Sequence, residues 1–150
     1  MITGRDPELV EEWLGKGMLI DSTNFLTIRS IKLNCDGALG SRGAWLLEEY
    51  SDMPGVTGHE TLPMEVVSDI SEKALKAGFQ VCSHAIGDRA NQEILDRYEK
   101  AFENNPELSK DHRFRIEHAQ HLHPDDIPRF GQLGVIAAMQ AVHLSSDRPW

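Results

Sequence analysis

Short apolar runs rich in β-branched and aromatic residues alternate with longer segments whose apolar residues recur at helical spacing, over and over between Phe25 and Met139. Such alternation is the pattern of parallel strands joined by crossover helices, because a parallel pair cannot be closed by a tight turn. The chain is therefore expected to be α/β. Phe25 to Leu33 is the first expected strand, ended by the turn-forming pair Asp36-Gly37; Phe79 to Ser83, Phe114 to Glu117 and Val135 to Met139 are the next three. Ahead of them, Asp6-Pro7-Glu8 supplies an N-cap, a proline at the first helical position and an acidic first turn. Leu9, Val10, Trp13 and Leu14 follow at helical spacing, and Gly15 and Gly17 stop the helix. Pro63 opens a helix with Val66, Val67, Ile70, Ala74 and Leu75 on one face and Gly78 at its end. Ala90, Ile94, Leu95, Tyr98, Ala101 and Phe102 line another, and Pro124-Asp125-Asp126 starts a short one with Ile127, Phe130 and Leu133 inward. Gly37 to Gly43 and Ser51 to Thr61 belong to a long irregular connection, and long ordered loops are usually functional.

The 150 residues suit one domain, with 40% hydrophobic residues for a core. A net charge of -9 repels phosphate backbones and anionic lipid, so neither nucleic acid nor a membrane surface is an expected partner. No apolar run approaches the ~18–20 residues of a membrane span, and Met-Ile-Thr-Gly-Arg lacks the apolar stretch of a signal peptide. Cys35 and Cys82 stand in apolar segments as expected reduced thiols, and the expected location is cytoplasmic.

Three of the seven histidines follow expected strands: His84 after Val81-Cys82-Ser83, His118 after Arg115-Ile116-Glu117, and His143 just beyond Met139-Gln140. In parallel α/β folds the C-terminal strand ends open on one face, so side chains distant in sequence converge there. Neutral imidazole is the commonest transition-metal ligand, and two or three at one such mouth make a metal site. His59, His112, His121 and His123 read as ordinary core or surface residues. Lys32 is the second anomaly, set inside the apolar run Leu26 to Leu33 where a desolvated ammonium is costly. It either snorkels out or is used as a neutral amine, which carbon dioxide converts to a carbamate able to bridge two metal ions.

Four blocks, Ile31-Lys32-Leu33-Asn34-Cys35-Asp36-Gly37-Ala38-Leu39-Gly40-Ser41-Arg42, His84-Ala85-Ile86-Gly87-Asp88-Arg89-Ala90-Asn91, Arg115-Ile116-Glu117-His118-Ala119-Gln120, and Met139-Gln140 with His143 and Ser146-Asp147, together resemble the metal-dependent amidohydrolase superfamily, in its YtcJ-like branch that includes N-substituted formamide deformylases. The resemblance implies a (β/α)₈ TIM barrel, of which residues 1–150 supply roughly strands four to seven with their helices. It implies one or two divalent ions, zinc first, held by Lys32, His84 and His118, with Lys32 possible in N-carboxylated form. His143 becomes a substrate-facing or transition-state-stabilising catalytic residue, and Asp36, Arg42 and Gln140 become substrate-binding. Asp88 reads as a helix cap, and Glu117 as a structural residue pointing away from the face that carries His118.

Departures from the family pattern are equally specific. Ala141 stands where a proline usually follows the glutamine, the first-strand His-x-His pair is absent, and His121-Leu122-His123 falls after the sixth strand. The strand-eight aspartate is missing as well. The expected whole is a larger hydrolase that cleaves non-peptide carbon–nitrogen bonds, amide or formamide, by metal-activated water acting on a small molecule. Its rivals are a deaminase or another hydrolase on the same barrel, and a non-catalytic α/β module with structural histidines. By itself the segment is expected to be inactive and to self-associate through open sheet edges at Phe25–Leu33 and Val135–Met139.

Overall fold

The structure, a computed structural model, describes residues 1–147. Its central sheet contains β1 (Ile2–Thr3), β4 (Ser30–Asn34), β5 (Gln80–Ala85), β6 (Arg115–His118) and β7 (Ile136–Ala138), side by side in that order and all parallel. Each new strand is laid against the previous one, without the reversal of direction that marks a doubly wound sheet. That single winding is the arrangement of a (β/α)₈ barrel, so the fold is α/β of a partial TIM-barrel kind.

Helices α1 (Pro7–Lys16), α2 (Met64–Ala77), α3 (Asp88–Asn104) and α4 (Ile127–Leu133) pack against one face of the sheet, each touching the next. Their limits follow local chemistry. Asp6 accepts a hydrogen bond from the Leu9 amide at 3.0 Å and so caps α1, while Gly78 and Gly134 turn left-handed to end α2 and α4. Ile31 and Leu33 of β4, Val81 and Ala85 of β5 and Ile116 of β6 meet Val67, Ile70, Leu75, Ile94, Leu95 and Tyr98 in one buried core. Among the described residues no helix is long and apolar enough to cross a membrane.

Several expectations need correction. The run Phe25 to Leu33 is two strands, because β3 (Thr27–Ile28) pairs antiparallel with β2 (Leu19–Ile20) in a separate hairpin and only Ser30–Asn34 enters the main sheet. Asp21 organises the hairpin turn by accepting the amides of Thr23 and Phe25, with Asn24 left-handed, and it leaves Phe25 94% exposed. The edge of the main sheet is thus β1 rather than the Phe25–Leu33 strand. Ile2–Thr3 was not foreseen; with two residues it has no measurable period, and its place is set by pairing with Ile31 and Lys32 and by the Gly4 amide on Lys32 O. Ile127 is 57% exposed instead of inward, and His143–Ser146 forms one further helical turn, α5.

His112, read from the sequence only as an ordinary core or surface residue, is half-buried at the margin of the core. Its ring stacks on Phe102 with centroids 4.0 Å apart, its Nδ1 accepts the Phe114 amide at 2.8 Å, and its Nε2 lies 2.9 Å from Leu133 O. Only the neutral Nε2–H form satisfies both bonds, and burial holds its pKa below the ordinary value. The unfolded chain therefore binds this proton more readily, so stability is expected to fall as pH drops below about 6.5 and onward through the depressed native value. Urea midpoints of the full-length protein between neutral and mildly acid pH, compared with His112→Gln, test this. Identical slopes in both proteins would remove His112 as the cause.

Candidate functional site

Residues paired across a parallel ladder point to the same side of a sheet. Lys32 pairs with Cys82, Asn34 with His84, Cys82 with Arg115 and His84 with Glu117, so all six lie on the face that the helices leave uncovered. Lys32 sits at the middle of β4 and not at its end. Its Nζ donates to Leu33 O at 2.9 Å, and burial lowers its pKa although the nearby Glu117 charge opposes the shift. Arg115 Nη2 donates to Glu117 Oε2 at 3.0 Å on the same face.

His118 reaches this face by a backbone reversal. It pairs with Ala85, which is buried among the helices, so simple alternation would send its side chain to the wrong layer. His118 and Ala119 instead adopt φ of 76° and 42°, a left-handed pair costing on the order of 1 kcal/mol per residue, and the ring swings back to 4.6 Å from that of His84. Glu117, expected on the face opposite His118, consequently shares its face. Alternation fails here because it presumes that the strand stays extended to its last residue.

The three histidines form a continuous row, since His143 at the start of α5 lies 5.7 Å from His118, ring to ring. Gln140 Oε1 accepts the Nδ1–H of His118 at 2.8 Å, which leaves His118 Nε2 as the free acceptor. Burial, ahead of the neighbouring positive groups, lowers the His118 pKa and favours that neutral form. His84 Nε2 is buried and lies 3.3 Å from Asp36 Oδ1, but out of line for a hydrogen bond, so among the described residues it has no hydrogen-bond partner. His118, Gln140 and His143 line a cavity of about 740 Å³ together with Gln120, Met139 and Asp147.

Asp36 is buried, and its carboxylate accepts the amides of Trp45 at 3.0 Å, Ile86 at 3.0 Å and Gly87 at 2.8 Å. It thereby ties the long loop after β4 to the junction of β5 and α3. Gly87 permits this because a Cβ there would stand 1.9 Å from Trp45 O. Asp88 adds a further tie: α3 begins at this residue, and its carboxylate accepts the Leu47 amide as well as that of Arg89, both at 2.9 Å. Leu39, Ala44, Tyr50 and Ile86 give the loop a small core of its own. Arg42, expected to face substrate, pairs with Asp52 inside the same loop.

Among the described residues no group of three or more His, Cys, Asp or Glu side chains has metal-holding geometry. What converges is two histidines and a lysine, with a buried His84 Nε2 that makes no hydrogen bond among the described residues and fits a cation. The thiols do not compete: burial pushes Cys35 up to about 12 and Cys82 up to about 11, so both stay protonated.

A sequence model of the amidohydrolase family matches residues 6–150. Protein LONG AFTER FAR-RED 3 of Arabidopsis thaliana is 44% identical over 139 residues, 93% of this chain and 23% of that protein. YtcJ of Bacillus subtilis (strain 168) is 33% identical over 143 residues, 95% of this chain and 26% of its own length. The crystal structure of an uncharacterized metal-dependent hydrolase from Pyrococcus furiosus superposes with a TM-score of 0.79 at 34% identity, over 94% of this chain and 28% of the other. The chain spans about a quarter of the length of these relatives.

Proposed function

The chain belongs to the amidohydrolase family, and we propose that it is the central part of a (β/α)₈ barrel in a longer, metal-dependent hydrolase that cleaves a non-peptide carbon–nitrogen bond, an amide or formamide, of a small molecule. The observation that carries this reading is the convergence of His84, His118 and Lys32 on the open face of the sheet. His84 and His118 would hold a divalent ion, zinc by preference, through their Nε2 atoms. Lys32, as its carbamate, would be the anionic member of the set; the lowered pKa of its amine favours the neutral form that takes up carbon dioxide. A cation so held lowers the pKa of water towards ~7 and polarises a carbonyl.

The chain's own residues then divide the remaining work. Gln140 fixes His118 by its Nδ1–H and borders the cavity where substrate sits. His143 faces the same cavity and offers Nε2 to the reacting group. Asp36 and Arg42 act on substrate by shaping the loop that walls the site. The uncovered edges β1 and β7 are the places where further barrel strands pair, and in the isolated segment they are the surfaces for self-association.

The test uses the full-length protein, with bound metal measured before and after chelation and with a panel of N-substituted formamides, simple amides, esters and amino-substituted heterocycles. Amide or formamide hydrolysis that chelation abolishes and zinc restores is the expected result. Ammonia released from the heterocycles alone would give the deaminase reading, and a metal-loaded protein inert towards the whole panel would reject catalysis.

A further inference from the structure

Beyond the ligands, one chain of hydrogen bonds at the cavity has no part in the assignments above. Gln120 Nε2 donates to Asp147 Oδ2 at 2.7 Å, and the same Oδ2 lies 3.1 Å from His143 Nδ1. Ser146 Oγ donates to the other oxygen of Asp147 at 2.6 Å. We propose that Asp147, braced by Gln120 and Ser146, is a positioning residue that sets the tautomer and orientation of His143; this rests on the reading of His143 as the substrate-facing residue.

A carboxylate can only accept, so the proton between the two groups belongs to His143 Nδ1, and in the neutral ring Nε2 is then the acceptor. Three donors converge on Asp147 and hold its pKa below the usual carboxylate range, which keeps it an acceptor. The bracing also connects two elements. Gln120 follows the left-handed pair His118-Ala119 that turns the His118 ring into the site, so the same reversal delivers the amide that holds Asp147. His118 and His143 are thus handled alike: each gives its Nδ1–H to an acceptor that flanks α5, Gln140 ahead of it in one case and Asp147 just after it in the other. Without Asp147, the His143 ring is free to rotate and to shift its proton to Nε2, where it would present a donor in place of an acceptor.

Full-length protein labelled with ¹⁵N-histidine reads the tautomer directly, with the His143 signals assigned from His143→Ala. The wild type is expected to show the Nδ1–H form. In Asp147→Ala the signals should move to the Nε2–H form, and kcat should fall about 10–100-fold with KM little changed, the size typical of a lost orienting partner. Asp147→Asn keeps an acceptor oxygen and should restore both the tautomer and most of kcat. A His143 tautomer identical in wild type and Asp147→Ala would overturn the proposal, whatever happens to activity. If His143→Ala leaves kcat unaltered while the tautomer still depends on Asp147, the positioning stands and the substrate-facing reading of His143 fails instead.

Discussion

Asp36→Ala is expected to destabilise the full-length protein by roughly 3 kcal/mol or more, because three backbone amides lose their acceptor at once. Each stranded buried donor costs ~1–3 kcal/mol, and the three share one carboxylate, so the sum is less than additive. The loss is local before it is global: the loop after β4 should come away from the β5–α3 junction, and His84, whose Nε2 lies 3.3 Å from Asp36, should lose its surroundings with it. Urea midpoints report the stability, and limited proteolysis within residues 37–61 reports the detached loop. Asp36→Asn retains one acceptor oxygen and should fall between the two. A change under ~1 kcal/mol in Asp36→Ala, with the loop still protected, would show that the loop is held by its own small core.

If Lys32 is a ligand as proposed, Lys32→Ala should lower bound metal and reduce turnover by about 10²-fold or more, since a direct ligand counts for more than the 10–100-fold of an orienting partner. Lys73→Ala is the control. Lys73 is a helix-face lysine paired with Glu11 and Asp69, and exposed pairs of that kind contribute ~0–1 kcal/mol. Elemental analysis separates the two variants without any appeal to activity. Equal metal in both would take Lys32 out of the ligand set and leave it as a half-buried lysine bonded to its neighbour's carbonyl.

The parts of the fold that were legible in the sequence are those whose physics is local. Asp6 and Pro7 announce α1, Gly78 and Gly134 end their helices left-handed as glycines do, and the apolar stripe from Ala90 to Phe102 reproduces the buried side of α3. Elements too short to carry a period were invisible: Ile2–Thr3 and the Leu19–Ile28 hairpin draw their stability from neighbours rather than from pattern. The four blocks singled out His84, His118 and His143, which the structure sets in one row, but they carried nothing of its geometry. Nothing in Glu117-His118-Ala119 betrays two consecutive left-handed residues, and on that reversal depends which side chains share a face. The anchoring duty of Asp36 was hidden for another reason. Its partners are backbone amides of Trp45, Ile86 and Gly87, and an N–H has no identity that a sequence can display.

The loop after β4 is fastened at its neck as well as along its length, since Thr61 donates its amide to Cys35 O at 2.8 Å and its hydroxyl to Asn34 O at 2.9 Å. A segment closed at both ends on one strand and pinned midway to the start of α3 behaves as masonry, not as a door. On the proposed hydrolase reading this loop would serve as a fixed wall rather than a gate, and the side of the cavity left open is where Met139 and Leu144 lie exposed beside His143.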